Sequence, residues 1–429
     1  MTGAPLAQLI DWVRDARART LALIADLDDD QMLGPRLDIV NPLLWEIGHV
    51  TWFQEKWVLR REPDVPSIRP DADALYDSAA IAHDTRWRLP LPDREQTLGY
   101  LSAVRDRVIE RLRRPEADAD DVYFTMLSVF HEDMHTEAFT YTRQTLGYPA
   151  PRFGISRPLT GLGSPKPRND VEFTGGAFDL GAAPGEPFVF DNEKWAHRVE
   201  LAPFAISSTA VTQAEFAEFV DAGGYQDCRL WSDAGWHWRM EAEAAHPVYW
   251  RREGPGRWLR RDFDRWVALE PDRPVIHVNW HEADAFCRWA GCRLPTEAEW
   301  EAATSDGAGS GKRRFPWGDD FPTASRANLE WQAMGCVNVD DLPAGDSAGG
   351  CRQMIGNVWE WTASDFVPYP GFVADPYREY SEPWFGTHKV LRGGCWATRA
   401  RLLRNTWRNF YRPQRRDVFA GFRTCAIRP

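Results

Sequence analysis

Apolar residues along the first 150 positions recur at helical spacing in four stretches. From about Leu6 to Leu27 the stripe opens with Leu6, Leu9, Ile10 and Val13, with Asp11, Arg14 and Asp15 between them, so one face is apolar and the other charged. A second stretch opens with Asn41 as the expected N-cap and Pro42 at the first helical position, and carries Trp45, His49, Trp52 and Phe53 on one side. The third, about Asp93 to Arg113, has Leu98, Leu101, Val104, Val108, Ile109 and Leu112 as its stripe, and the fourth, roughly Asp120 to Leu146, repeats Val122, Met126, Val129, Phe130, Phe139 and Leu146. Four amphipathic helices predict a bundle over residues 1–150.

After that the periodicity stops. Pro149, Pro151, Pro158, Pro165 and Pro167 with Gly154, Gly161 and Gly163 make residues 151–170 an expected linker. Beyond it, Gly175-Gly176 marks a turn between short strands, and Thr212 with Glu215 makes a capping box for a short helix ending at Gly223, a device repeated by Thr296 with Glu299. The expected fold is α+β and multidomain, with an irregular second domain over residues 171–429. Most of the 22 tryptophans lie in that part, where large rings pack loops and can face a cationic ligand.

A chain of 429 residues is long enough for two or three domains. The net charge of −12 and pI near 5.4 argue against a nucleic-acid or membrane-surface partner and favour small-molecule chemistry. The charged positions within Met1 to Asp15 resemble neither a signal peptide nor a membrane span, so a cytoplasmic location is expected. Seven cysteines without zinc-type spacing fit reduced thiols, with Cys287 and Cys292 as packing residues.

Inside the fourth stretch stands Phe130-His131-Glu132-Asp133-Met134-His135-Thr136-Glu137. Residues four apart on a helix lie one above the other, so His131 and His135 can bring two imidazoles to one point. That spacing suits iron, zinc, copper or nickel. His-Glu-x-x-His is also the zinc-protease signature, in which the glutamate activates water, but no His-x-x-Gly-x-x-His continuation follows His135. His49, on the second helix, is the expected third ligand. The plainer alternative makes His49 a hydrogen-bonded core residue and leaves the pair lining a cleft.

Several segments of the second domain, among them Val211-Thr212-Gln213-Ala214-Glu215-Phe216, Arg293-Leu294-Pro295-Thr296-Glu297, Gly356-Asn357-Val358-Trp359-Glu360-Trp361, Arg392-Gly393-Gly394-Cys395-Trp396 and Gly421-Phe422-Arg423, resemble the formylglycine-generating-enzyme fold, a C-type-lectin-like domain. The first domain, with His49 and His131-x3-His135-x-Glu137, resembles the DinB-like four-helix bundle of the EgtB family, the nonheme iron sulfoxide synthases of ergothioneine biosynthesis. That resemblance implies Fe(II) on His49, His131 and His135, O2 as co-substrate, and hercynine, the trimethylated betaine of histidine, whose imidazole carbon acquires a chalcogen. It also implies that Tyr377, in Pro376-Tyr377-Arg378-Glu379-Tyr380-Ser381, is the proton donor that steers oxidation away from sulfur alone, with Tyr380 as a substrate contact. A phenol can do this, since it donates a hydrogen bond and takes the proton back. The segment Arg408-Asn409-Phe410-Tyr411 resembles the family's substrate-facing loop, which typically reads Arg-Asn-Trp-Asp. Asn409 keeps its place as a hercynine contact, and Phe410 and Tyr411 replace the Trp and the Asp. Aromatic faces suit a quaternary ammonium.

The departures bear on the donor. EgtB enzymes that use γ-glutamylcysteine hold its charged end with two arginines and that Asp. Here the arginine positions correspond to His83 and Arg86, so one arginine and the acid are absent. A zwitterionic donor would lose charge partners worth about 1–3 kcal/mol each. The pattern resembles the selenoneine synthase branch, SenA, which takes a selenosugar, 1-seleno-glucose. His83, Asp84, Arg86, Trp87 and Tyr411 would then line the sugar site. The expected reaction is C–Se bond formation on hercynine giving a selenoxide, and the alternative is a hercynine sulfoxide synthase using γ-glutamylcysteine or cysteine. Two other classes stay open. A zinc hydrolase requires Glu132 to face the metal and His49 to be remote, whereas a non-catalytic binding protein would rest on the lectin-like domain alone. No counterpart of the copper-holding cysteine pair of formylglycine-generating enzymes stands out.

Overall fold

The first stripe forms α1, Leu6–Ile24, three residues short of the expected end. Arg94 explains the early stop, because its guanidinium donates to the carbonyls of Ile24 and Leu27 and satisfies acceptors that another turn would have used. A computed structural model describes residues 5–61, 65–153, 169–305 and 312–427, so most of the linker expected over 151–170 lies outside the described residues. A short α2, Asp29–Leu33, follows behind its own capping box.

The second stripe becomes α3, Leu43–Gln54, continued by a π-helical turn over Glu55–Leu59. Asn41 is not its cap. The position before the helix is Pro42, and no side chain caps it, because the Asn41 amide oxygen accepts instead from the Arg86 guanidinium at 2.6 Å. After α4, Ala72–Tyr76, comes α5, Arg94–Leu112, capped by Asp93. Last is α6, Ala119–Leu146, with a capping box from Asp118 and Asp121 and a left-handed Gly147 at its end. The pair α1 and α3 each pack on both α5 and α6, which is the expected four-helix bundle.

A charged network ties its centre together. Arg17 on α1 is buried and donates to Glu132 of α6 through Nε and Nη2, to Thr51 of α3 and to the Leu101 carbonyl of α5. Thr20 adds a 2.7 Å bond to Glu132, so one ion pair sets the register of four helices.

The chain divides into two compact units, and the first also includes Gly185–Phe188, where the Phe188 ring packs 5.0 Å from Phe130. The second unit is α+β. One four-stranded sheet orders Asp170–Phe173, Phe204–Ser207, Cys425–Ala426 and Cys292–Arg293, and another orders Asn409–Tyr411, Lys389–Arg392, Trp359–Asp365 and Ala420–Gly421. The Gly175 turn is real: a Cβ there would stand 2.4 Å from the Leu201 carbonyl oxygen. The capping boxes at Thr212 and Thr296 form, although the first helix ends at Asp221, before Gly223. Long loops are held by buried Arg–Glu pairs, Arg392 on Glu301, Arg404 on Glu193, Arg408 on Glu297 and Arg423 on Glu360, around the buried rings of Trp300, Trp331, Trp359, Trp361 and Trp396. Cys287 is buried, Cys292 is half-buried and all seven cysteines are free. Among the described residues no helix is long and apolar enough to cross a membrane.

Candidate metal centre

Helix geometry places His131 and His135 one turn apart on α6, and the packing of α3 against α6 brings His49 to meet them. The ring centroids lie 5.1 Å (His49 to His131), 5.2 Å (His49 to His135) and 4.5 Å (His131 to His135) apart. One nitrogen of each ring falls within 4.8 Å of the others, and a small inward shift, to within the about 4.2 Å that two metal–nitrogen bonds can span, would put all three on one ion.

Two of the rings are oriented from behind. The Nδ1 of His49 meets the Tyr76 carbonyl at 2.8 Å, and the Nδ1 of His135 meets Glu46 Oε1 at 2.6 Å. Each contact turns Nδ1–H outward and leaves Nε2 with its lone pair toward the centre, the arrangement typical of metal-bound histidine. Burial, followed by the neighbouring His135, pushes His49 and His131 well below the usual imidazole range. His49 and His131 are therefore neutral near pH 7, as ligands must be. Trp45 stacks on His49 at 4.9 Å and Phe53 on His131 at 3.7 Å, and these walls limit ring rotation. Three imidazole nitrogens with carboxylate and carbonyl support fit a first-row divalent ion.

Glu46 and Tyr76 are absent from the sequence expectations. Glu46 stands three residues before His49 and so on a neighbouring part of the helix face, which is a usable signal. Tyr76 acts through its backbone carbonyl, which leaves no trace in sequence.

The zinc-protease alternative fails on geometry. Glu132 is turned to α1, held by Arg17 and Thr20, and belongs to no group of metal-competent atoms among the described residues. His49, which that alternative needs remote, is part of the cluster.

Gly48 makes the close approach possible. A Cβ on it would lie 2.2 Å from the Tyr76 ring, and Tyr76 is buried with its carbonyl on His49. Gly48→Ala is therefore expected to cost about 1–3 kcal/mol, the range for overpacking a tight core, and to weaken metal binding in the same variant. Urea unfolding and metal titration check both.

The remaining expected site residues fall into two groups. In the first unit, Arg86 lies with its guanidinium 4.0 Å from the Trp45 ring centroid and bonded to Asn41, and His83 Nε2 meets the Val40 carbonyl at 2.7 Å. Trp87 donates to the Gly34 carbonyl, and Asp84 lies 3.7 Å from Arg36. Burial pulls Arg86 down to about 10. In the second unit, Tyr377 and Tyr380 stand 6.3 Å apart, and Tyr380 meets Phe410 edge-on at 5.8 Å and stacks on Phe190 at 4.3 Å. Burial raises the Tyr380 phenol. Asn409 Oδ1 accepts from the Phe410 amide at 2.8 Å, and Tyr411 pairs with Lys389 across the sheet.

Two family descriptions match. Residues 13–138 match the DinB superfamily and residues 163–428 the sulfatase-modifying factor enzyme 1-like domain. The chain is 40% identical to a hercynine oxygenase of Mycolicibacterium thermoresistibile over 99% of its own length and 96% of that protein. It is 39% identical to a hercynine oxygenase of Mycobacterium tuberculosis, covering 97% and 98% of the two chains. A formylglycine-generating enzyme of Streptomyces coelicolor is 35% identical over 57% of this chain and 82% of that protein. Matched along both units, the chain belongs to the EgtB-type hercynine oxygenase family and is an oxygenase, with a DinB-like helical domain followed by a formylglycine-generating-enzyme-like α+β domain.

Proposed function

We propose that this enzyme uses Fe(II) and O2 to join a chalcogen to the imidazole carbon of hercynine, with a thiol that carries a carboxylate as the donor. The observation that carries the proposal is the convergence of His49, His131 and His135 from two helices with Nδ1 of His49 and His135 already engaged. His49, His131 and His135 would hold the iron, which when bound would supply activation of O2 next to the donor and the imidazole.

The chain's own residues do the rest. Glu46 and the Tyr76 carbonyl hold the ligand rings, while Trp45 and Phe53 shield them from water. The faces of Tyr380 and Phe410 receive the trimethylammonium group, which has no hydrogen to donate, and Asn409 contacts the same substrate. The Tyr377 phenol delivers a proton and recovers it. Tyr377→Phe is expected to lower carbon–sulfur bond formation by about 10²-fold, the low end for removing a proton-transfer group, and to raise the share of thiol oxidised on sulfur alone. Product masses decide it.

For the donor, likeness along nearly the whole chain to hercynine oxygenases supports the hercynine sulfoxide synthase alternative over the selenosugar. Arg86 supports the same choice. It is only 9% exposed, and among the described residues no acidic side chain lies within ion-pair distance, the Glu46 charge acting on it from farther off, so a donor carboxylate would offset more of its desolvation. A selenosugar keeps one specific observation in its favour, the replacement of an arginine by His83 and of an acid by Tyr411. Offering hercynine and O2 with γ-glutamylcysteine, cysteine or 1-seleno-glucose in competition tests the choice. Preferred turnover of a carboxylate-bearing thiol is expected, and preferred turnover of the selenosugar would reverse the assignment.

A further inference from the structure

The segment Asp375–Ser381 carries Tyr377 and has little structure of its own, a single 3-10 turn over Arg378–Tyr380 with Arg378 and Glu379 exposed. Its two ends are nevertheless tied to one carboxylate. Asp191 accepts from the Asp375 amide on Oδ2 at 3.3 Å and from the Ser381 hydroxyl on Oδ1. Asn192 donates to the same Ser381 oxygen at 3.1 Å, and Lys194 grips Asp375 at 2.7 Å. Asp191, Asn192 and Ser381 are all buried. The turn bearing Asp191 is itself anchored, since Glu193 is clamped by Arg404 and Thr406.

We propose that Asp191 is a positioning residue for Tyr377: by holding Asp375 and Ser381 on its two oxygens it spans the base of the loop and fixes where the phenol is presented. The inference rests on the role of Tyr377 proposed above. Within the loop the Tyr380 ring stacks on Phe190 and meets Phe410, while its two ends depend on the Asp191 carboxylate, so loss of that carboxylate loosens the base of the loop first. A buried carboxylate that accepts two hydrogen bonds supplies stronger anchors than a neutral amide would. Asn at position 191 keeps the shape but presents an NH2 group to one of the two donors, so one end of the loop is released.

The test uses the full chain in two measurements. Hydrogen exchange on the metal-free protein should show the amides of 375–381 exchanging about tenfold faster in Asp191→Asn, as expected for a lost bond to a charged group, with α6 unchanged. The iron-loaded protein should show a larger share of thiol oxidised on sulfur alone, with the KM for hercynine unchanged. Ser381→Ala should move both readouts in the same direction and Ser381→Thr, which keeps the hydroxyl, should restore them. If Asp191→Asn does not fold, Ser381→Ala decides alone. Unchanged exchange or an unchanged product ratio in the folded variants overturns the assignment. Tyr377→Phe run beside them separates the two claims: if it shifts the products and Asp191→Asn does not, only the positioning role fails, and if it shifts nothing, the role of Tyr377 fails.

Discussion

Glu132→Ala is expected to destabilise the helical unit by about 3–5 kcal/mol, the range for breaking a buried ion pair from one side. The loss comes from the partner left behind. Arg17 keeps its charge in the core, with Thr51, Gln54 and a carbonyl as its neutral contacts, and Thr20 loses its acceptor. Because the guanidinium bridges α1, α3, α5 and α6, the four helices loosen together. Replacing both partners by apolar residues, Arg17→Met with Glu132→Leu, should recover much of the stability, since the desolvated charge goes too. Urea unfolding of the metal-free protein measures both. The same variant separates the zinc-protease alternative, in which Glu132 would be a general base. A variant that stays as stable as the parent while losing all activity would favour that chemistry, and it is not expected.

The second large effect is at the metal. His49→Ala removes one of the three proposed ligands and should weaken binding by more than the roughly 10–100-fold typical of losing an outer-shell partner. Glu46→Gln falls in that smaller range, because it leaves the three nitrogens in place and only loosens His135. The ordering is the informative part. If Glu46→Gln proved as damaging as His49→Ala, the carboxylate would have to be a ligand itself, which its bond to His135 Nδ1 argues against.

How much of this was visible in the chain depends on which forces act locally. The four long helices follow from apolar spacing, because burial of a continuous stripe is a local pattern with a global consequence. The i,i+4 histidines follow from helix pitch in the same way, and His49 was found because it shares a face with Trp45, Trp52 and Phe53. Asn41 was misplaced for a complementary reason. A side chain suited to capping will take any strong donor, and Arg86, 45 residues away in sequence, offers a better one than a helix amide. Tyr76 reaches His49 through backbone, and Gly48 matters only through the ring above it, so neither could be foreseen without coordinates. Asp191 lies 184 residues from Asp375, and only the folded loop joins them. The selenosugar expectation rested on two substitutions, His83 and Tyr411, and on the resemblance of the stretches 41–60 and 76–90 to the selenoneine synthase branch. His83 turns out to meet the Val40 carbonyl, a structural contact that an arginine in an equivalent loop need not share.

Iron analysis joined to oxygen uptake bears most directly on the three-histidine centre. One ferrous ion per chain is expected, with oxygen uptake that requires both hercynine and a thiol and that vanishes, together with the bound iron, in His49→Ala, His131→Ala and His135→Ala. Full iron binding and turnover in His49→Ala would contradict it.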